Sequence, residues 1–550
     1  WDIAQRKTQD LTVDDSNLKP LPVTASTLKD EPKINTPEEE RKTFTLLDGF
    51  EVNLFASEVE FPDLKKPVQL AFDARGRMWV TTIPTYPHLL PGQQPQDKVL
   101  ILTDKDNDGK ADTSTVFADN LYIPIGIELG YGGAYVSAEP DLIYLKDTNG
   151  DDKADVTRAV LHGFGTEDSH HAISAFEWGP GGGLHLMEGT FHHTQTETPW
   201  GPVRLANAGI LRYEPNTEKL SVHVTYNYAN PWGQTWDQWG RNFIADASTG
   251  DNHYGNAYSG WLPYPEKHNF LERFTPKEAH VRPTSGCEIV SSRQFPDQYQ
   301  QWWLLNNTIG FQGTRMFRMT EDGSGFKALE HKDLISSSDP SFRPVDLQFG
   351  PDGALYIIDW YNPIIGHMSF SLRDPKRDKA HGRIWRVTAK GRELVKPAKI
   401  EGAKIPELRN LLRSYEDRTR SRVRRELAQR ETPAVLAAID QFIKSLPADD
   451  TAREHLLLEC LWIQQHHDAV DSALLKQVLG SKEPKARAAA VGVLRHWLDR
   501  IPDSTALLRN AANDENPAVR MEAVVAASYV HSLKGVEIAL EAVKHPVDYY

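Results

Sequence analysis

Two constellations in this chain have residue types and spacings suited to chemistry. The run Asp104-Lys105-Asp106-Asn107-Asp108-Gly109-Lys110-Ala111-Asp112 places Asp at positions 1, 3, 5 and 9 and Gly at 6. That spacing gathers hard oxygens about one point while the glycine permits a sharp turn, so Asp104, Asp106, Asp108 and Asp112 read as calcium ligands. A second copy, Asp147, Asn149, Asp151 and Asp155, keeps the spacing but has Asp152 in the glycine position. An acidic turn held by side-chain-to-backbone hydrogen bonds is its alternative reading. The bidentate Glu of an EF-hand is missing from the first copy, where Thr115 stands. Neither run has a nucleophile or base close in sequence, so an ion there would brace the fold.

The second constellation is histidine-rich: His162, His170, His171, His185, His192 and His193. His170 and His171 precede an apolar segment and the turn Gly179-Pro180. Neighbouring side chains on an extended strand point to opposite faces, so one of this pair is expected to enter a cavity. The others read as surface or hydrogen-bonded core histidines. Trp232, Trp236, Trp239, Trp360 and Tyr361 supply flat faces that suit a sugar ring or planar cofactor, and that equally fill a β core.

The elements that must position these residues follow a repeat. From Phe44, units of an apolar strand, a Gly- or Asp-containing turn and a second β-type strand recur at about 50–60 residues. Six such units begin near Pro67, Pro124, Ser174, Asn230, Pro283 and Arg343. Six hairpin-based units closed in a ring predict a six-bladed β-propeller over 44–395. From Ile405 the apolar period becomes helical, and Glu483-Pro484-Lys485-Ala486-Arg487 is echoed by Asn516-Pro517-Ala518-Val519-Arg520. A HEAT-like helical solenoid over 405–550 follows, expected to be truncated because no polar cap is visible. Residues 1–43 read as an extended N-terminal arm.

Composition narrows the function classes. Lys and Arg number 62 against 76 Asp and Glu, a formal charge of −14 without a basic run, which argues against a nucleic-acid partner. Cys287 and Cys460, the two cysteines, fall in different predicted domains, and no CxxCH motif for haem attachment occurs. No apolar run approaches the ~20 residues of a membrane span.

The stretch from His171 to Gly179-Pro180 resembles the soluble quinoprotein glucose and sorbosone dehydrogenases, a group of six-bladed propellers. The resemblance implies that His171 is a general base and that the cofactor is pyrroloquinoline quinone (PQQ). It also implies that Asn230, in Asn-Pro-Trp-Gly, and Arg343, in Arg-Pro-Val-Asp, hold cofactor or substrate. The chain departs from that pattern at Ala229 and Val345, where the group carries arginines; Arg315, Arg373 and Arg383 are candidate substitutes. Over residues 44–550 the chain resembles the secreted propeller–HEAT proteins of planctomycetes and verrucomicrobia called membrane-bound dehydrogenase-like. The markers are Phe72-Asp73-Ala74-Arg75-Gly76-Arg77-Met78-Trp79, Ile123-Pro124-Ile125-Gly126 and Asp359-Trp360-Tyr361-Asn362-Pro363 with Gly366-His367. That resemblance implies a periplasmic or secreted protein whose electrons pass to a c-type haem domain or separate cytochrome outside this chain.

The leading expectation is a quinoprotein-like oxidoreductase acting on a sugar or other alcohol. It requires His171, Asn230 and Arg343 to face one cavity, with at least two cations present. One rival is a non-catalytic glycan- or protein-binding scaffold. Another is a lyase or hydrolase, which requires paired carboxylates in the mouth, with Asp246, Asp251 and Asp359 as candidates.

Overall fold

The computed structural model describes residues 25–89, 92–270, 272–367 and 370–550. Most of the expected N-terminal arm, residues 1–24, lies outside them. Six antiparallel sheets form the propeller. Their innermost strands are Pro67–Phe72, Ile127–Gly130, Ser174–Trp178, Pro231–Trp236, Thr284–Ile289 and Pro344–Phe349. Each innermost strand touches the next around the ring, and the last returns to the first. The fourth blade has three strands; Phe44–Leu46 adds a fifth to the next. The final blade is completed by Phe50–Ser57, which pairs antiparallel with Arg383–Ala389 across one bulge at Leu54–Ala56. The ring is therefore closed by a strand from the opposite end of the domain, leaving no open edge at the seam.

Side chains in the throat tie blade to blade. Gln69 Oε1 accepts from Ile127 N and Phe176 N, and its Nε2 donates to Phe176 O. Gln234 Nε2 donates to Ala175 O, Ser285 Oγ to Pro344 O, and Asp346 accepts from Leu70 N. Five of the six innermost strands shift register near their starts. Such bulges free backbone groups for these cross-blade bonds. Gly233 sits where blades meet most closely: a Cβ there would lie 2.4 Å from Ser285 O.

The N-terminal arm is ordered where described. Thr36 caps the short helix Pro37–Arg41, and Glu40, fully buried, pairs with Arg383. Arg383 also meets Glu58 and stacks on Tyr361.

Helices run from Ile405 to Ala542 and share one apolar core. They lie across the end of the channel where the innermost strands finish. Arg418, on the helix Asp417–Ala428, enters the throat and contacts Glu177 at 2.9 and 3.0 Å and Glu288 at 2.7 Å. Arg425, further along the same helix, reaches Glu128 at 2.7 Å. Asp548 accepts from Ser324 N and Oγ on the fifth blade. Among the described residues the solenoid is thus a plug for one end of the propeller, and the other end can admit a ligand. Among the described residues, no helix is long and apolar enough to cross a membrane.

This plug carries a pH signature. Burial pushes the Glu177 carboxyl up, Arg418 pulls it back, and nearby Glu128 and Glu288 add to the rise, to about 8. Burial likewise lifts Asp346 to about 7. Both groups hold protons in the folded chain that the unfolded chain releases at lower pH. Their stabilisation is full below the unfolded carboxylate pKa and is lost as pH rises through about 7 to about 8. Denaturation from about pH 5 to about pH 9 is expected to show stability falling across that window, with a shallower fall in Glu177→Gln. An unchanged slope in the variant would remove Glu177 as the cause.

Candidate functional site

At the free end of the channel, the loops before the innermost strands enclose a cavity of about 500 Å³. Tyr86, Phe191, Trp232, Trp360 and Ile365 form most of its walls, and His170, His171, His367 and Asn230 contribute the polar groups. No Lys or Arg is among the described residues that line it.

The paired histidines sit on a single 3-10 turn, Ser169–His171, whose N-cap Asp168 accepts from His170 N at 3.0 Å. Successive residues on such a turn are about 120° apart rather than opposed. Both His170 and His171 therefore line the cavity, correcting the expectation that one would turn away. His170 Nδ1 lies 2.8 Å from Tyr86 Oη and its Nε2 3.1 Å from Asn230 Nδ2. Its ring stacks on Trp232 and on His367, with centroids 5.4 and 4.4 Å away. Asn230 is positioned by Asp246, which accepts from Asn230 N and Ala229 N. Asn230 Oδ1 is buried without a hydrogen-bond partner.

His171 is 4% exposed. Its Nδ1 lies 2.9 Å from Thr190 O and 3.8 Å from Asp168 Oδ2. His367, from the loop after the last blade's second strand, brings Nε2 to 2.6 Å from the same Asp168 oxygen. One ligating atom from each of Asp168, His171 and His367 lies within 4.8 Å of the other two. Burial lowers His171 to about 4 and His170 well below the usual imidazole value. Burial works upward on Asp168, but the His367 hydrogen bond and the pull of His171 and His367 outweigh it and hold Asp168 at about 2. At neutral pH this is an ionised carboxylate beside two uncharged imidazoles, His170 and His171.

The other expected residues lie elsewhere. Arg343 does not line the cavity; its Nε donates to Asn362 O at 2.8 Å, Nη2 to Pro363 O at 3.2 Å and Nη1 to Thr308 O. It braces two other loops from behind the wall, because a buried guanidinium must satisfy its donors on nearby carbonyls. Arg315 is held by Asp333, Arg383 by Glu40 and Glu58, and Arg373 does not reach the lining. The carboxylates expected of a lyase or hydrolase are also absent from it. Asp246 and Asp359 accept backbone N–H groups within the fold, and Asp251 pairs with Arg273.

The two acidic loops differ. Asp104, Asp106 and Asp108 converge as a possible cation site, whereas Asp112 accepts from Lys105 N at 2.6 Å. Asp147, Asp151 and Asp155 do not converge in this way. Asp147 accepts from Asn149, Gly150 and Asp152 N–H groups, Asn149 from Asp151 N, and Asp155 from Thr148. Arg77 reaches across to Asp152 at 2.8 Å. Backbone N–H groups and a guanidinium compensate much of that loop's charge, which fits the alternative reading of Asp147, Asn149, Asp151 and Asp155 as an acidic turn held by side-chain-to-backbone hydrogen bonds.

Asp168 and Tyr86 escape sequence reasoning, and His367 enters it only as a family marker. The one local signal is Asp168 immediately before Ser169-His170-His171, an N-cap pattern.

The fold and site together define a six-bladed propeller with a ligand-sized mouth, closed below by a helical region with HEAT repeats. Residues 36–391 match the family described as Domain of unknown function (DUF7133), and the chain belongs to that family. Residues 472–550 match HEAT repeats. No curated protein matches the chain. Among solved structures, a glucose dehydrogenase is similar at 14% identity, covering 62% of this chain and 100% of its own, with a TM-score of 0.41. The soluble aldose sugar dehydrogenase from Escherichia coli is similar at 15% identity, over 62% and 100%, with a TM-score of 0.33. An auxiliary nutrient binding protein from Bacteroides ovatus is similar at 10% identity, over 62% and 76%, with a TM-score of 0.36.

The mouth does not fit PQQ. A planar tricarboxylate buried there needs cations to offset its charge. The described lining offers none, and Asp168 adds a negative charge beside it.

Proposed function

We propose that this chain acts on a sugar or other polyhydroxy alcohol, held in the propeller mouth and activated at one hydroxyl by the Asp168–His171–His367 cluster. The observation that carries the proposal is that cluster, set in an aromatic cavity of about 500 Å³ with no cation in its described lining. Trp232 and Trp360 offer apolar faces to a sugar ring, while His170, His171, His367 and Asn230 supply the polar groups of the wall for its hydroxyls. An uncharged, hydroxyl-rich ligand suits these walls better than an anion.

An oxidative reaction passing electrons to a cytochrome, and a periplasmic or secreted location, are carried into this proposal by the family resemblance. Calcium at Asp104, Asp106 and Asp108 belongs to it as a structural ion, supported by the convergence of those carboxylates.

Sugars and polyols titrated against tryptophan fluorescence, beside a dye-linked dehydrogenase assay, test the proposal. A saturable ligand is expected, with Trp232→Ala weakening it by about 10-fold, the loss of roughly 1–1.5 kcal/mol of ring contact. If no sugar or polyol binds, the proposal fails and the reading as a non-catalytic protein-binding scaffold replaces it. Binding without turnover would leave a binding protein.

A further inference from the structure

We infer that Asp168, His171 and His367 form a binding site for a first-row divalent transition ion, with its open positions facing the mouth cavity. The inference rests on the mouth being the working site, and it names the agent that meets the hydroxyl: a metal ion held by this cluster.

Chemistry and geometry converge on this. Two imidazoles and one carboxylate form the ligand set that leaves coordination positions open for substrate or water. Nitrogen donors favour zinc, iron, manganese or cobalt over calcium and magnesium, which prefer oxygen alone. The three ligating atoms already lie within 4.8 Å of one another. An ion about 2.0–2.2 Å from each ligand requires ligand atoms roughly 3.0–3.6 Å apart. His367 Nε2 and Asp168 Oδ2, at 2.6 Å, would have to separate by less than about 1 Å.

The surroundings also hold these groups as metal ligands are commonly held. The His171 nitrogen that lies 3.8 Å from Asp168 Oδ2 is Nδ1, which also contacts Thr190 O at 2.9 Å, so ligation requires the ring to turn and present the lone pair of Nε2. Asp168 is fixed by the His170 backbone N–H, and His367 is braced by stacking on the His170 ring. Asn230, 7% exposed, lines the same cavity, and its buried Oδ1 has no hydrogen-bond partner. Asp104, Asp106 and Asp108 make a site of different character, all oxygen and largely exposed.

The test uses the whole chain, stripped by a chelator and titrated with Co2+, read by visible absorbance and by metal content after dialysis. One tightly held equivalent with the d–d bands of nitrogen-ligated Co2+ is expected. His171→Ala and His367→Ala should each lose more affinity than the roughly 10–100-fold typical of losing a residue that only holds a metal ligand in place. Asp104→Ala should keep the chromophore. Asp168 also caps its turn, so His367→Ala, on a separate loop, carries the test if Asp168→Ala does not fold. Absence of the d–d bands, or bands unaffected by both histidine variants, would overturn the inference. Sugar binding to the stripped chain is measured separately. Metal uptake without sugar binding would remove the proposed function and leave the metal site; sugar binding without metal uptake would do the reverse.

Discussion

Replacing Arg418 by Met is expected to cost about 3–5 kcal/mol of unfolding free energy, the usual consequence of leaving buried charge without its partner. Arg418 is the shared cation for Glu177 and Glu288, all three side chains being at most 13% exposed. Burial by itself would lower the Arg418 pKa, but these carboxylates hold its charge and raise it above the ordinary guanidinium value. Methionine fills comparable space without offering a donor. The two carboxylates would then face each other, with Asp346 close behind them in the throat. The loss should grow at higher pH, where Glu177 ionises, and Arg418→Met combined with Glu177→Gln should recover part of it. Chemical denaturation of the three variants at two pH values measures this. A cost below about 1 kcal/mol at both would mean that the plug is held by its apolar contacts and not by this charge.

The second large effect is expected from a single methyl group. Gly189 N donates to His171 O at 2.9 Å, and a Cβ on Gly189 would lie 2.6 Å from His171 Cβ and 3.1 Å from its Cα. No side-chain rotation relieves that contact, because it involves the first atoms of the histidine. Gly189→Ala must therefore move the His171 turn by several tenths of an ångström. Overpacking of this kind costs about 1–3 kcal/mol of stability. The functional cost should be larger: a displacement near 1 Å at a reacting group can cost about 100-fold in rate. The expected result is a folded protein that has lost most turnover of any substrate found, together with its Co2+ affinity. Wild-type turnover in Gly189→Ala would show that His171 does not act in the reaction.

Much of the architecture is local enough to be legible in the sequence. Hairpin turns and β-branched strands recur from Pro67 to Ile357, and a repeat that cannot bury its own faces must close on itself or stack. The change of apolar period after Ile405 marks the helices in the same local way. His171 and Asn230 are singled out by the family resemblance and not by the repeat, although each sits at the entrance to an innermost strand. Arg343 shows where this fails. Its position along its blade is the expected one, yet the carbonyls of Thr308, Asn362 and Pro363 from two other loops decide where its guanidinium goes.

The sequence by itself determined the six-fold β repeat, the helical tail and a histidine pair just before the third blade. Tertiary structure alone decided that Asp168 and His367, 199 residues apart, meet at the mouth, and that Arg418 closes the other end. The physical reason is closure. A propeller brings the loops of all its blades to one axis, so side chains distant in sequence become neighbours there. Which of them converge depends on blade packing, loop path and hydrogen-bond satisfaction across the ring, and none of these is written in a local pattern.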